Sequence, residues 1–329
     1  MLKTNIQKSS LVLNKGYSTS TIYKKKTLGQ KAKYSFRKHW QLYLVIIPSV
    51  LYFIIFKYIP MFGTIIAFKD YSVVQGIWGS PWAGLKYFKL FFNNPMAWSL
   101  IKNTLFLSLY HILVSFPLPI LLALALNEIR QGVFKKTVQM VTYAPYFIST
   151  VVLVSMIIMM TSPRLGVINH ILVALGFHSV NFMGDPNLFR SIYVWSDAWQ
   201  NTGYSAVVYL AALAGVDPSL YEAAKMDGAS RIQKILHIDL PGIMPAMVII
   251  LILTIGNLMA VGFEKIYLLQ NPLNLGVSEV LATYVFKMGL LNANYSLAAA
   301  IGLFNSLVNL ILILISNFLA KRVTGNGLW

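Results

Sequence analysis

The sequence predicts an all-α polytopic membrane protein. Of its 329 residues, 57% are hydrophobic and only 11% are charged, and the mean hydropathy is +0.64. Soluble domains carry about 25% charged residues, so this chain has too little polar surface to be stable in water. Its apolar residues also occur in stretches of about 20, the length of a helix that spans a bilayer. Together these observations favour a bundle of transmembrane helices.

Six apolar windows define the predicted spans. They cover residues 42–62, 103–126, 138–160, 188–214, 244–263 and 297–320. Several windows contain proline, which predicts local kinks whose freed carbonyls are satisfied by neighbouring helices: Pro48, Pro117, Pro119 and Pro145. We therefore divide the chain into a tail over residues 1–40 and one transmembrane domain over residues 41–329.

The tail carries ten Lys and Arg residues and no Asp or Glu. A basic tail beside an apolar helix is typical of a cytoplasmic anchor that faces anionic lipid, and we prefer this interpretation to nucleic-acid binding. The basic region is too long for a signal peptide and no A-x-A-like site follows, so we expect the tail to be retained. The tail decides the predicted orientation, because without it the cytoplasmic side would carry 8 basic residues and the outer side 9. Both termini are predicted to be cytoplasmic, in a multi-pass protein of the cytoplasmic membrane.

The connections between the windows are unequal. Residues 63–102, 161–187 and 264–296 form long segments on the predicted outer side, where residues 80–88 (SPWAGLKYF) indicate a turn and an interfacial helix. The predicted cytoplasmic side has a short loop and a polar segment over residues 215–243. The chain contains no cysteine, which excludes disulfides, thiolate catalysis and cysteine-ligated metals.

The polar segment between the fourth and fifth windows predicts two short helices. Asp217 is a suitable N-cap, followed by a proline at the first helical position, and Gly228 is a natural C-cap. A second short helix is predicted to start at Ser230 and to stop before Pro241. We call this predicted helix–Gly–helix unit, about residues 217–242, the hairpin.

The hairpin matches a family motif position by position. Permease subunits of bacterial ABC importers carry E-A-A-x-x-x-G-x9-I-x-L-P between two late membrane helices. The corresponding residues here are Glu222, Ala223, Ala224, Gly228, Ile238, Leu240 and Pro241. Segments 58–71, 79–88, 209–229 and 263–286 are similar to LplB-like oligosaccharide permeases of the carbohydrate branch. After residue 40, the chain thus resembles the transmembrane subunit of a type I (MetI-like) importer.

The resemblance implies a role and partners. In that family the hairpin is the coupling helix, which docks on a cytoplasmic ATPase, and the permease is not an enzyme. Glu222 would face a basic group on the ATPase, and Gly228 would permit the bend. The implied partners are ABC ATPase subunits, a second related permease that forms a heterodimer, and an extracellular solute-binding lipoprotein docking on 63–102 and 264–296. The implied cargo is an oligosaccharide or a polysaccharide fragment.

The energy source is expected on another polypeptide. The sequence contains no G-x-x-x-x-G-K-[ST] motif, and the dipeptide Gly-Lys does not occur. We therefore predict that ATP and Mg²⁺ bind the ATPase partner and that no cofactor binds this chain.

Polar side chains within the windows predict a translocation path, because such groups are costly in lipid unless they face a cavity or another helix. In the fourth window, Asp197, Gln200, Asn201 and Tyr204 have the spacing of one helical face. Carboxylate and amide groups beside large aromatic side chains suit a sugar, whose hydroxyls form hydrogen bonds while its ring stacks. The predicted path residues are Trp195, Asp197, Trp199, Gln200, Asn201, Tyr204, Asn257 and Glu264.

Some of these polar residues admit a structural interpretation. Asn and Ser within spans often form interhelical hydrogen bonds worth about 0.6 kcal/mol, and Ser108, Asn305 and Asn309 fit that role as well as a path role. His111 is predicted to form a structural hydrogen bond rather than to relay protons. The two tryptophans of the fourth window equally suit an aromatic belt at the outer interface.

Two other functional classes compete with the permease interpretation. An ion-coupled secondary transporter would require inverted repeats and broken helices around a charged midplane site. The sequence shows no clear internal repeat, and the hairpin would then have no function. A membrane-embedded enzyme would require a cluster of metal ligands or a nucleophile motif, whereas the five histidines are scattered.

Overall fold

The structure, a computed structural model, describes residues 38–260 and 262–328. Most of the predicted basic tail lies outside these residues. The described part of the first compact unit, which ends at Phe62, is helical. Its helix α1 (Trp40–Phe53) continues through a π-helical turn (Ile54–Tyr58) into α2 (Ile59–Phe62). This confirms a helix in the first window, and Pro48 lies inside α1 without ending it.

The second compact unit, Gly63–Trp329, begins with a 3-10 helix (Gly63–Phe68). Its α-helices are α3 (Gly76–Gly79), α4 (Lys86–Phe92), α5 (Pro95–Ser115), α6 (Pro117–Glu128), α7 (Val133–Tyr143), α8 (Thr150–Met160), α9 (Val167–Ala174), α10 (Pro186–Leu213), α11 (Pro218–Met226), α12 (Arg231–Lys234), α13 (Leu240–Gly256), α14 (Phe263–Leu269), α15 (Leu275–Ser278), α16 (Leu281–Phe286) and α17 (Tyr295–Thr324). Further turns are a 3-10 helix (Ala144–Phe147) and π-helices (Ile235–Asp239 and Lys287–Leu291). An isolated antiparallel bridge joins Lys69 and Trp82.

Four helical stretches of the described residues are long and apolar enough to cross a membrane. One begins at Trp40, and the others are Pro95–Glu128, Arg231–Gly256 and Tyr295–Thr324. A bent pair, α7 with α8, gives a fifth if it is counted as one span. The fourth predicted window is helical as α10, whose 28 residues extend about 42 Å at 1.5 Å per residue. Because of its polar face, α10 is less apolar than the four helical stretches named above.

The third window, 138–160, bends at Pro145, where a local kink is predicted, but as a sharp corner. Helix α8 departs from the preceding helix at an angle of 98°. The break contains a 3-10 turn with Pro145, which lacks the N–H that an α-helix would use. Ser149 then caps α8 by accepting a hydrogen bond from a backbone N–H. Because both halves are apolar, hydropathy does not reveal the corner.

The fifth window, 244–263, is wrong at both ends. The helix is continuous from Arg231 and ends at Gly256. The helix predicted to stop before Pro241 instead continues into α13. Within the π turn the backbone N–H of Leu240 reaches the carbonyl five residues back, at Ile235. This wider turn gives room for the proline ring, which clashes with the preceding turn of a regular α-helix.

Helix α10 occupies the centre of the second unit. It packs against α5, α6, α7 and α13. Ala206 and Tyr209 of α10 are buried in one apolar cluster with Ala123 of α6 and Ile243 of α13. At Gly203, a Cβ atom would collide with the backbone of α7, so these two helices are in direct backbone contact. The polar face of α10 is therefore held between fixed neighbours.

Candidate substrate path and coupling hairpin

The main cavity has a volume of about 520 Å³ and lies among α5, α6, α10 and α13. Three residues of the predicted polar face line it, namely Asp197, Asn201 and Tyr204. Thr254 of α13 and His111 of α5 lie on the same wall. Three of the four side chains that helical spacing places on one face of α10 thus share this cavity, and Gln200 does not.

Two further cavities adjoin this region. The second cavity, about 430 Å³, is lined by Asp197, Asn201, Gln200 and Glu264 among others. The third cavity, about 180 Å³, contains Asn257 together with His111 and Thr254 of the main cavity's wall. Asp197 therefore borders both of the larger cavities, and six of the eight predicted path residues line at least one of the three.

Asp197 is the centre of a charged cluster. Its Oδ2 lies 2.8 Å from His111 Nε2, and its Oδ1 lies 3.4 Å from Lys265 Nζ. The side chains of Asp197 and Lys265 are 18% and 5% exposed. The cluster joins α5, α10 and α14 by their side chains. His111 thus forms a hydrogen bond with the carboxylate of Asp197.

Lys265 is a functional candidate that the sequence analysis missed. It lies next to the predicted Glu264, but it is buried where Glu264 is exposed. Its ammonium group lies 5.7 Å from the centre of the Tyr193 ring, in addition to its contact with Asp197. The available signal was a lysine directly following an apolar window, since such a side chain needs a partner within the protein.

The remaining predicted residues of α10 have different surroundings. The amide of Gln200 donates a 2.9 Å hydrogen bond to the carbonyl of Ile148, at the corner between α7 and α8. Tyr204 stacks on Tyr146, with ring centres 3.9 Å apart. The two tryptophans, Trp195 and Trp199, are both 54% exposed and line none of the three cavities.

Two of the polar residues with an open interpretation bond to the turn that follows α13. Ser108 donates a hydrogen bond to the carbonyl of Leu258. Asn309 of α17 accepts one from the backbone N–H of Met259, at 3.0 Å. These bonds fit the structural role. The side-chain oxygen of Asn305 is buried and has no hydrogen-bond partner in the described part of the chain.

The hairpin forms as predicted up to its second helix. Asp217 caps α11 by accepting a hydrogen bond from the N–H of Ser219, and this bond holds the pKa of Asp217 below its ordinary value. Gly228 has φ of +72°, the left-handed conformation that glycine adopts without strain. The N–H groups of Gly228 and Ala229 close the end of α11 as a Schellman motif. Ser230 then caps α12 in a capping box.

The motif residues are exposed or half-buried on this hairpin. Glu222, Ala223 and Gly228 are exposed, and Ala224 is half-buried. A cleft of about 360 Å³ lies between the two arms and is lined by Ala224, Asp227, Gly228, Ala229, Gln233, Lys234, His237 and Ile238. Leu240 is half-buried and Pro241 is exposed, where α13 begins. The hairpin thus presents a cleft rather than a packed face.

Comparison with known proteins assigns the family. The model described as "Binding-protein-dependent transport system inner membrane component" matches residues 115–325. The chain belongs to this family. It is therefore a transmembrane permease subunit of an ABC importer, a transport component and not an enzyme, as the hairpin motif predicts.

Individual relatives cover most of the permease. It is 44% identical over 293 residues to Protein LplB of Bacillus subtilis (strain 168), covering 89% of this chain and 92% of the relative. It is 45% identical over 288 residues to the polygalacturonan/rhamnogalacturonan transport system permease YteP of the same organism, covering 88% and 90%. A chain in the crystal structure of a bacterial ABC transporter that imports the acidic polysaccharide alginate matches with a TM-score of 0.83 and 38% identity, covering 89% and 99%.

A second crystal structure of an alginate ABC transporter matches equally well. In that structure the transporter is in complex with a periplasmic protein that holds an alginate pentasaccharide. The match has a TM-score of 0.83 and 38% identity, covering 90% of the permease and 99% of the other chain. These similarities establish the all-helical permease fold.

The permease also has an ordered polar cluster in its 63–102 segment. Asp70 accepts hydrogen bonds from Lys86 at 2.7 Å and from Tyr87 at 2.8 Å. The bond from Lys86, together with that from Tyr87, lowers the pKa of Asp70 below its usual 3.8. Ser296 bridges to the same segment by donating to the carbonyl of Lys69 at 2.7 Å. Residues 63–102 are thus tied to the start of α17.

Another polar cluster lies at the base of the hairpin. The hydroxyl of Tyr221 on α11 donates a hydrogen bond to Asp239 of the π turn. Asn127, at the end of α6, approaches the same carboxylate oxygen at 3.5 Å. Burial of the phenol and its bond to Asp239 raise the pKa of Tyr221 to about 12, so the hydroxyl remains a donor at neutral pH.

Proposed function

We propose that the permease translocates an oligosaccharide or a polysaccharide fragment, driven by ATP hydrolysis on a separate subunit that docks on the hairpin. One observation carries the proposal. The helical stretch Arg231–Gly256 begins in the exposed hairpin and contributes Ile250 and Thr254 to the main cavity. Its 26 residues extend about 39 Å at 1.5 Å per residue. A force applied to the hairpin therefore has a continuous helix along which to reach the cavity.

The chemistry of the cavity supports a carbohydrate cargo. Asn201, Thr254 and the carboxylate of Asp197 provide donors and acceptors, and Tyr204 provides an aromatic surface. Sugar hydroxyls need such hydrogen bonds, and the apolar faces of sugar rings stack on aromatic side chains. The names of the relatives point to the same class, since they include a polygalacturonan/rhamnogalacturonan permease and an alginate importer. An ion-coupled carrier has no comparable support.

The remaining partners follow from the same mechanism. We propose that the hairpin cleft receives the ATPase, with Glu222 facing a basic group on it. A second related permease completes the path as a heterodimer. An extracellular solute-binding lipoprotein docks on residues 63–102 and 264–296, and the periplasmic protein bound to the alginate importer supports this type of partner. This arrangement requires both termini to lie in the cytoplasm.

The test is purification followed by reconstitution. The tagged permease would be isolated from its native membrane in mild detergent, and its co-purifying subunits identified by mass spectrometry. The complex would then be reconstituted in proteoliposomes and supplied with neutral or uronate-containing oligosaccharides. We expect an ATPase in the complex and uptake that requires hydrolysable ATP. Uptake driven by an ion gradient without ATP would contradict the proposal.

A hairpin variant provides the control for docking. Gly228→Asp places a side chain at a left-handed backbone position, so the bend is strained. We expect this variant to remain in the membrane but to lose the ATPase on purification. Retention of both ATPase and uptake would show that the hairpin is not the docking element.

A further inference from the structure

A fully buried carboxylate lies at the base of the hairpin. Asp239 is 0% exposed and occupies the unspecified position of the I-x-L-P motif, between Ile238 and Leu240. Carboxylates are almost never fully buried without a charged partner. Within the described residues, no basic side chain forms a salt bridge with Asp239. Neither the substrate path nor the seven motif positions account for this residue.

The contacts of Asp239 join three parts of the chain. Its Oδ1 receives the hydroxyl of Tyr221 from α11 and the amide of Asn127 from the end of α6. Its Oδ2 has no hydrogen-bond partner in the part of the chain that the structure describes. Asp239 itself is the last residue of the π turn that leads into α13. One carboxylate therefore connects the hairpin with two long helices.

Ile235 and Leu240 of the hairpin pack against the apolar cluster of α6, α10 and α13, but no buried apolar residue attaches α11 to it. Neither α11 nor α12 contains a buried residue. A further polar contact at the base joins Arg231 to Glu128 at 4.0 Å, and the arginine side chain is 82% exposed. Exposed pairs of this kind contribute little. The bond between Tyr221 and Asp239 is thus the buried link that holds α11 against the start of α13.

We propose that Asp239 is a positioning residue that fixes α11 of the hairpin to α13 through Tyr221. With this link in place, displacement of α11 moves α13, which lines the main cavity. Without it, α11 pivots on its flanking turns and the displacement is absorbed there. The inference rests on the proposed function, because it presumes that an ATPase acts on the hairpin. The π turn at this position agrees with it, since such turns occur frequently at functional sites.

The experiment measures uptake per ATP hydrolysed by the complete complex in proteoliposomes. Tyr221→Phe removes only the donor, and Asp239→Asn keeps an acceptor for it. The double variant Tyr221→Phe/Asp239→Leu removes both polar groups, and such paired apolar replacement is nearly neutral for stability. Tyr143→Phe is the matched control, because its hydroxyl is also partly buried but bonds to Gln139 of its own helix.

We expect Tyr221→Phe and the double variant to assemble with the ATPase and hydrolyse ATP. Their uptake per ATP should fall at least about fivefold, the lower end of typical coupling between two sites. Asp239→Asn and the Tyr143→Phe control should stay close to wild type. Wild-type uptake per ATP in the double variant would overturn the inference, because the network would then be only structural. Absence of an ATPase from the wild-type complex would overturn the proposed function together with it.

Discussion

Replacing Asp197 by alanine would test whether the charged cluster at the cavity is an energetically coupled unit. The substitution leaves the ammonium of Lys265, which is 5% exposed, without its carboxylate at 3.4 Å. It also removes the acceptor of His111. From the sequence alone, Asp197 is predicted only as a path residue. The structure adds a cost to the folded state, because a buried cation is left unpaired.

The size of this cost follows from the geometry. At 3.4 Å and an effective dielectric constant of about 20, two unit charges attract by about 5 kcal/mol. Removing one partner of a buried pair typically costs about 3–5 kcal/mol, because the remaining charge is uncompensated. Asp197 is partly hydrated, with 18% of its side chain exposed. We therefore expect a loss of about 3 kcal/mol in the free energy of unfolding, at the lower end of that range.

Thermal unfolding of the purified permease complex and uptake in proteoliposomes are the two assays. Asp197→Ala should lower both the unfolding temperature and the uptake rate. The double variant Asp197→Ala/Lys265→Met should recover most of the stability, because the unpaired cation is gone, but not the uptake. Asp70→Ala is the matched control, since Asp70 also pairs with a lysine, Lys86, but at an exposed position. It should unfold like wild type.

Two results would refute this reasoning. If Asp197→Ala unfolds at the wild-type temperature, the pair with Lys265 does not contribute as calculated. If the double variant is less stable than Asp197→Ala, the unpaired lysine is not the cause of the loss. Normal uptake kinetics in Asp197→Ala would in turn remove this residue from the substrate path.

Three further predictions concern local geometry. Gly228→Ala should destabilise the hairpin by about 1–2 kcal/mol, because the backbone at Gly228 is left-handed, and should reduce the amount of ATPase that co-purifies. The control Gly276→Ala should change neither, because Gly276 has open space around it and no positive φ. Gly203→Ala should reduce the yield of folded permease, because its Cβ meets the backbone of α7, while Gly302→Ala in open space should not change it by size-exclusion chromatography. The pKa of Asp70 is lowered, so its hydrogen bonds stabilise the folded segment fully at pH values above the ordinary pKa of about 4. This stabilisation should be lost as pH falls through the lowered pKa. Limited proteolysis of residues 63–102 should therefore be unchanged between pH 7 and pH 5.

Much of the fold follows from local sequence, because its signals are local. Apolar length predicts the helices, and cap residues such as Asp217 and Gly228 predict the hairpin where the structure has it. Pro145 predicts a kink, but the sharp corner at residues 144–149 was not predictable in this way. It depends on Pro145 together with Gln200, which lies more than 50 residues away and donates to the carbonyl of Ile148.

In the candidate site, too, the features that lie along one helix are predictable and the contacts between helices are not. Helical periodicity predicts that Asp197, Asn201 and Tyr204 share a face, and all three line the main cavity. Periodicity does not identify Lys265 or His111 as partners of Asp197, because those contacts join separate helices. Asp239 has no sequence signal other than being a charged residue next to an apolar window, and its burial depends on the end of α6.

The π turn that leads into α13 also affects how the direction of the hairpin depends on chain length. A π turn accommodates one residue more than an α-helical turn would, and here it lies at Ile235–Asp239. Each residue of an α-helix corresponds to a rotation of about 100°. Deleting one residue from the π turn would leave an α-helical turn and nearly the same direction, whereas deleting one residue from the α-helical part of α13 would swing the cleft around the helix axis by roughly a quarter of a circle. The direction of the cleft thus tolerates a one-residue change of chain length at the π turn but not in the regular helix that follows it, independently of which side chains form the cleft.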